Sequence, residues 1–141
     1  MGNVDGLAAG AYPVGKGGVL QEVAAGEFRA VVAGTTIDGS WTATCPALLL
    51  LSADMTAADE EFGWQSNGRG GRFIAMEVGL IAQTVHLAAA AIDLGTVLIA
   101  GIQSGAARRL PDNVVPPGEE LVAVMPLGRG AAEGPAASSG S

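Results

Sequence analysis

The strongest constraint on the fold is a run of mostly small and branched apolar residues at positions 78–92, interrupted by Gln83 and His86. Its spacing extends a helical pattern over residues 72–93, about 22 residues or roughly 33 Å at 1.5 Å per residue. Apolar positions cover almost the whole circumference, so a helix of this kind is expected to be buried on most sides. The other elements of a 141-residue chain cannot cover it alone, and part of its surface should face a second subunit. The run also falls short of the roughly 20 apolar residues that a membrane span needs, so a buried helix is expected instead.

Length allows at most one domain, with one core. The chain carries 7 Lys and Arg against 14 Asp and Glu, a net charge of −7. A nonspecific nucleic-acid binder needs clustered cations to neutralise phosphates, and an anionic membrane would repel such a surface, so both are disfavoured as partners. One cysteine, Cys45, excludes an internal disulfide framework and the multi-cysteine zinc patterns, and one histidine, His86, excludes a His-x-x-Glu-His site. No metal site is expected. The opening Met1-Gly-Asn-Val-Asp-Gly6 has no basic region followed by an apolar one, so a cytoplasmic location is expected.

Along the chain, residues 10–14 and 19–23 flank the breaker group Gly15-Lys-Gly-Gly18 and predict a hairpin. Residues 27–33 predict a short helix stopped by Gly34. The continuous apolar run at 46–53 reads as a central strand covered on both faces. Asp54 or Thr56 is expected to cap a helix ending near Phe62, and a Gly-rich loop at 65–71 leads into the long helix. Gly95 is expected at the C-terminal end of that helix, followed by a strand at 96–102. A short helix capped by Ser104, a Pro-containing connection and a last strand at 120–127 complete an α+β order. The expected domain covers 1–129, with a flexible Gly/Ala/Ser tail at 130–141.

The block Arg72-Phe-Ile-Ala-Met-Glu77-Val-Gly79-Leu-Ile-Ala-Gln83-Thr-Val-His-Leu87, continuing to Leu94-Gly95-Thr96, resembles the long helix of the nitroreductase family. The SagB-type (azoline) dehydrogenases are the nearest subgroup. The resemblance continues in order through Val4-Asp5-Gly6-Leu7-Ala-Ala-Gly10-Ala-Tyr12, the Leu48-Leu-Leu-Leu-Ser52-Ala53-Asp54 strand and the close Leu121-Val-Ala-Val-Met-Pro-Leu-Gly128-Arg129. It implies a nitroreductase-like half-domain, an antiparallel-rich sheet packed on a long central helix, within an FMN-dependent oxidoreductase. The family's Arg-x-Ser-x-Arg-like phosphate motif belongs to an N-terminal half that this sequence lacks. The Lys-Tyr pair of azoline dehydrogenases aligns with Glu61-Phe62, and the helix's Gln-Asn with Gln83-Thr84.

The resemblance implies that Ala100 and Gly101 form the small-residue pair beneath the flavin, where one backbone N–H would meet the reactive edge; simple small-residue packing is the other reading. Gly95 and Thr96 are secondary cofactor candidates. Arg129 could grip a phosphate as a charged fork, or be a solvated cation before the tail. Arg69 and Arg72 oppose the dipole of the long helix, so one could pair with Glu60, Glu61 or Glu77, and contact with a ligand is the other reading. His86 is expected to be a hydrogen-bonded structural residue and Cys45 an inert thiol without a nearby cation. Trp41 and Trp64 could each cover a ligand or a subunit seam.

These features imply a subunit that completes an FMN site with another chain, as a homo- or hetero-oligomer acting on a small molecule or peptide. The alternatives are a flavin-free scaffold that retains the dimer-forming helix, and a fragment whose N-terminal half is encoded upstream.

Overall fold

The computed structural model describes residues 4–130, and β5 (Glu120–Gly128) organises it. This strand lies between β3 (Ala47–Ala53) and the two-residue β4 (Gly95–Thr96), with antiparallel pairing on both sides. Ala123, Val124 and Met125 are 0% exposed, so the middle of β5 is covered on both faces. The run expected to be the central strand is instead an edge: β3 pairs with β5 alone, and all seven of its residues are only half-buried. A continuous apolar run reports two apolar faces, whereas strand order depends on distant pairing.

The strand expected at 96–102 breaks after Thr96, and Pro126 accounts for the break. Thr96 pairs with Leu127 and Ile99 bridges Val124 in one unbroken register, which sets Val97 opposite Pro126. Proline has no N–H to offer across the ladder, so regular pairing lapses there. It resumes at Ile99, whose N–H and C=O both bond Val124 at 2.9 Å. Farther on, Ile102 bridges Thr36.

The hairpin forms with shifted strands, β1 (Gly10–Ala11) on β2 (Ala24–Ala25), because Pro13 interrupts the ladder; beyond it Val14 bridges Leu20 and the Gly15 N–H bonds the Val19 carbonyl at 3.0 Å. A 3-10 turn at Lys16–Gly18 makes the tip. Helix α1 (Arg29–Ala33) ends at Gly34 as expected, and α2 (Met55–Phe62) is capped by Asp54, whose carboxylate accepts from the Ala57 N–H at 2.8 Å. The long helix α3 (Arg69–Ala91) begins three residues before the expected start. The left-handed residue beyond it is Asp93 (φ 59°), so Gly95 is freed for β4. Asp tolerates this conformation better than most side chains. Ser104 caps nothing: Gly105, at φ 69°, leads directly into a 3-10 turn at Ala106–Arg109.

Val32, Ala106, Leu110, Leu121 and Val124 form the buried cluster, and Phe28, Leu48, Leu50 and Ile102 pack against it. Helix α3 contacts the sheet at β4 and β5 and is held to α2 along its first turns. There Gly70 lies so close that a Cβ would stand 2.3 Å from the Ala58 carbonyl carbon, and Phe62 meets Phe73 edge-to-face at 4.8 Å.

The chain does not bury α3 on most sides. Ala82 and Ala89 are buried with half-buried Ile74, Val78 and Val85 on their stripe, whereas Met76, Leu80 and Leu87 form a second stripe, with Leu80 70% exposed. By length and composition alone α3 is apolar enough to cross a membrane, contrary to the sequence reading, since its best 18-residue window has a mean hydropathy of 1.5. Of the expected tail, positions 131–141 lie outside the described residues.

Candidate functional site

The five candidate residues fall into two groups. Gly95 pairs with Gly128 and Thr96 with Leu127, which puts Arg129 beside them at one end of the sheet. A Cβ on Gly128 would come within 2.9 Å of the Pro46 ring, so packing requires glycine there. Thr96 Oγ1 is buried and lacks a hydrogen-bond partner. Arg129 is exposed.

Ala100 and Gly101 lie elsewhere, past the Ile99–Val124 bridge, which is itself roughly 16 Å along the strand direction from Arg129 at about 3.3 Å per residue. Both are exposed. The Gly101 carbonyl accepts from the Ile37 N–H at 2.8 Å, and that of Ala100 from Ile102 at 2.9 Å; among the described residues neither residue's own N–H has a partner. A Cβ on Gly101 would meet only Ile37, at an ordinary 3.7 Å, so packing within the chain does not require glycine here. The pair therefore presents two small residues with free amide donors on an open surface. Those properties fit a planar cofactor that takes a backbone hydrogen bond at its edge.

Sequence reasoning missed the support beneath this platform. The Gln103 side-chain amide donates to the carbonyls of Gly34 and Thr36, both at 3.2 Å, while its own carbonyl accepts from Arg109. Gln103 N–H bonds Thr35 O at 2.8 Å, so the segment after α1 is tied to the segment after Gly101. The hydroxyls of Thr35 and Thr36, both buried, return to the carbonyls of Val32 and Ala33. A polar residue two positions beyond a small-residue pair was the available signal.

An apolar cavity of about 760 Å³ lies apart from all five candidates. It is an apolar groove between the hairpin, β3 and α3, with Leu49, Leu51, Ile74, Val78 and Ile81 among its walls. Its polar margin was also missed. Arg29 forks onto Glu27 at 2.7 and 2.8 Å and donates to the Cys45 carbonyl at 2.8 Å. The hydrogen bonds from Arg29 hold Glu27 far below the usual carboxylate range, and Glu27 in turn raises Arg29. Tyr12 donates to Glu22 at 2.9 Å, which raises the phenol above its ordinary value.

Other expectations divide. His86 bonds the Ala82 carbonyl at 2.7 Å, the structural role expected. Cys45, half-buried, does have a cation close by, since Arg29 reaches its carbonyl, and that cation is already engaged with Glu27. Among the described residues Arg69 and Arg72 make no ion pair with Glu60, Glu61 or Glu77. Arg69 reaches Gln65 at 3.3 Å and leaves its Nε buried without a partner. Trp41 is 50% and Trp64 82% exposed.

Residues 12–129 match the nitroreductase family. Among curated proteins, none matches the chain. Among solved structures, the fold is similar to that of a protein from Anabaena variabilis assigned as a nitroreductase, with a TM-score of 0.73 at 23% identity. The match covers 89% of this chain and 25% of that one, so the chain spans about a quarter of the length of that relative.

Proposed function

This chain belongs to the nitroreductase family, and on that premise we propose that it is a subunit of an FMN-dependent oxidoreductase of the SagB-dehydrogenase type, which completes a flavin site with another chain. The observation that carries this reading is the open platform at Ala100 and Gly101, small, exposed and with unpartnered amides. Bound there, FMN would supply the hydride chemistry. Ala100 and Gly101 would orient its ring through a backbone N–H, and the Gln103 ties would hold that N–H in place. Arg129 is too distant to serve the same end of the cofactor and would meet a charged group at the far edge of the sheet. The phosphate would be gripped chiefly by the partner, and the substrate would be a small molecule or peptide. The subunit would be cytoplasmic, with the outer stripe of α3 at a subunit interface, residues 1–129 forming the domain and 130–141 a flexible tail.

A visible absorption spectrum after incubation with FMN and desalting, on the chain alone and with the candidate partner, tests this reading. Retained flavin in the paired sample, lost on Gly101→Trp, is the expected result. A colourless protein in both samples overturns it.

One observation favours a second reading, a flavin-free accessory subunit. Phe62, at the position of the azoline dehydrogenases' Lys-Tyr pair, is engaged with Phe73 in holding α2 to α3. An active complex whose turnover survives Gly101→Trp supports that alternative.

A further inference from the structure

Ile37 stands beside the Ala100 and Gly101 platform and is 66% exposed. A single exposed isoleucine carries no meaning by itself. This one is held in place from several sides. Its N–H bonds the Gly101 carbonyl at 2.8 Å, and the preceding Thr36 bridges Ile102. The Thr36 carbonyl accepts from the Gln103 side chain at 3.2 Å, and the Gln103 N–H closes on Thr35 at 2.8 Å. Gly39 shuts the turn from the other end, since a Cβ there would collide with the Thr36 hydroxyl. A β-branched side chain on a backbone so fixed has little rotamer freedom left. The chain thus holds rigid an apolar group that it scarcely buries.

The backbone at Ile37 is also left half-paired. In the antiparallel pairing about Thr36 and Ile102, Ile37 lies opposite Gly101, and such a pair ordinarily exchanges two bonds. Only the bond from Ile37 forms; among the described residues the Gly101 N–H returns none to the Ile37 carbonyl. Pairing therefore stops inside this pair and leaves the platform's donor next to the Ile37 side chain. The three atoms nearest to where a Cβ on Gly101 would stand are Ile37 Cβ, Cδ1 and Cγ1, at 3.7, 3.7 and 3.9 Å. The isoleucine flanks the glycine without closing it off, so a group laid on Gly101 meets an apolar side chain and an unused amide together. A planar ring with apolar faces and hydrogen-bonding atoms at its edge complements both, whereas a phosphate or a sugar lacks the apolar part.

We infer that Ile37 is a cofactor-binding residue that seats the flavin ring, a fixed apolar stop that sets the ring's edge toward the Gly101 N–H. This rests on the platform reading above and adds to it the side chain that selects the ring over the rest of the cofactor. Ile37 acts by contact alone and takes no part in electron or proton transfer. The size of residue 37 then limits what the platform accepts: valine preserves the branched stop, and alanine removes it.

The test titrates FMN into the full chain together with its candidate partner, with flavin fluorescence reporting binding and urea unfolding of the chain reporting stability. Ile37→Ala should weaken FMN binding about tenfold and Ile37→Val only about twofold, in line with the apolar contact each removes. Both variants should unfold at the parent's urea midpoint, because the side chain is so exposed. Methyl NMR of the parent adds a readout of contact: ring currents of bound FMN should shift the Ile37 methyl signals and leave those of buried Val32 in place. The inference is overturned by parent-like FMN affinity in Ile37→Ala, by Ile37 methyl signals that do not move when FMN binds, or by a fall in the urea midpoint that accounts for the lost affinity. If Gly101→Trp abolishes binding in any of those cases, the platform reading stands without Ile37. A parent that binds no FMN overturns both. Should Ile37→Ala fail to fold, the methyl shifts decide.

Discussion

Strands β3 and β5 lie side by side, are similarly apolar and share a ladder from Ala47 to Ala53, yet only one is finished. Ala123, Val124 and Met125 of β5 are sealed by the core cluster on one face and α3 on the other, whereas no residue of β3 is fully buried. Apolar content states what a strand requires of its surroundings. Whether the same chain supplies those surroundings is a separate matter, and the two strands divide on it. The outer stripe of α3 repeats the lesson: it too is apolar, and the rest of the chain leaves it exposed.

Removing side chains should expose the difference as a graded series. Met125→Ala in β5 should cost about 2–5 kcal/mol, read from urea unfolding, because a sealed site collapses poorly around a void. Gly70→Ala should follow at about 1–3 kcal/mol, since the new methyl strikes the α2 backbone, and it tests whether α2 is what holds α3 in place. Leu49→Ala in half-buried β3 should cost about 1–2 kcal/mol. A loss equal to that of Met125→Ala would break the comparison. Leu80→Ala should stay within about 0.5 kcal/mol in the monomer, while light scattering shows reduced association.

The smallest effect concerns pH. Glu27 is held below its ordinary carboxylate value, so its contribution is present above the unfolded value of about 4.3 and is lost as pH falls through the lower folded value. The Arg29 pair is partly exposed, which limits the effect to a few tenths of a kcal/mol. Parent and Glu27→Gln unfolding midpoints should differ slightly at about pH 7 and converge only below about pH 4.

Local chemistry made much of this legible in the sequence. Asp54 caps α2, Gly34 stops α1, and the last strand and the long helix lie within a few residues of their expected bounds, because caps, breakers and periodicity act over one or two turns. Pairing partners were not legible. The edge position of β3 and the break at Val97 depend on which residue stands opposite, and Pro126 is almost thirty positions from the segment it interrupts. The candidate residues were found singly, but their separation into Gly95, Thr96 and Arg129 at one end and Ala100 and Gly101 at the other needed the register. Gln103 escaped notice because its partners, Gly34 and Thr36, come from a loop some seventy positions earlier.

Pro126 also determines how the platform is suspended. Between Thr96 and the Thr36 bridge, the segment is fastened at points: Ile99 to Val124, Gly101 to Ile37, and the Gln103 side chain. A strand zipped along its whole length can yield only by losing many bonds together, but a segment hung from separate fasteners can release one and keep the others. Partial release of that kind costs less than unzipping a paired strand, so small displacements of Ala100 and Gly101 with β5 fixed are the expected response to a ligand. One missing donor in the central strand thus sets the compliance of the surface that a cofactor would press against.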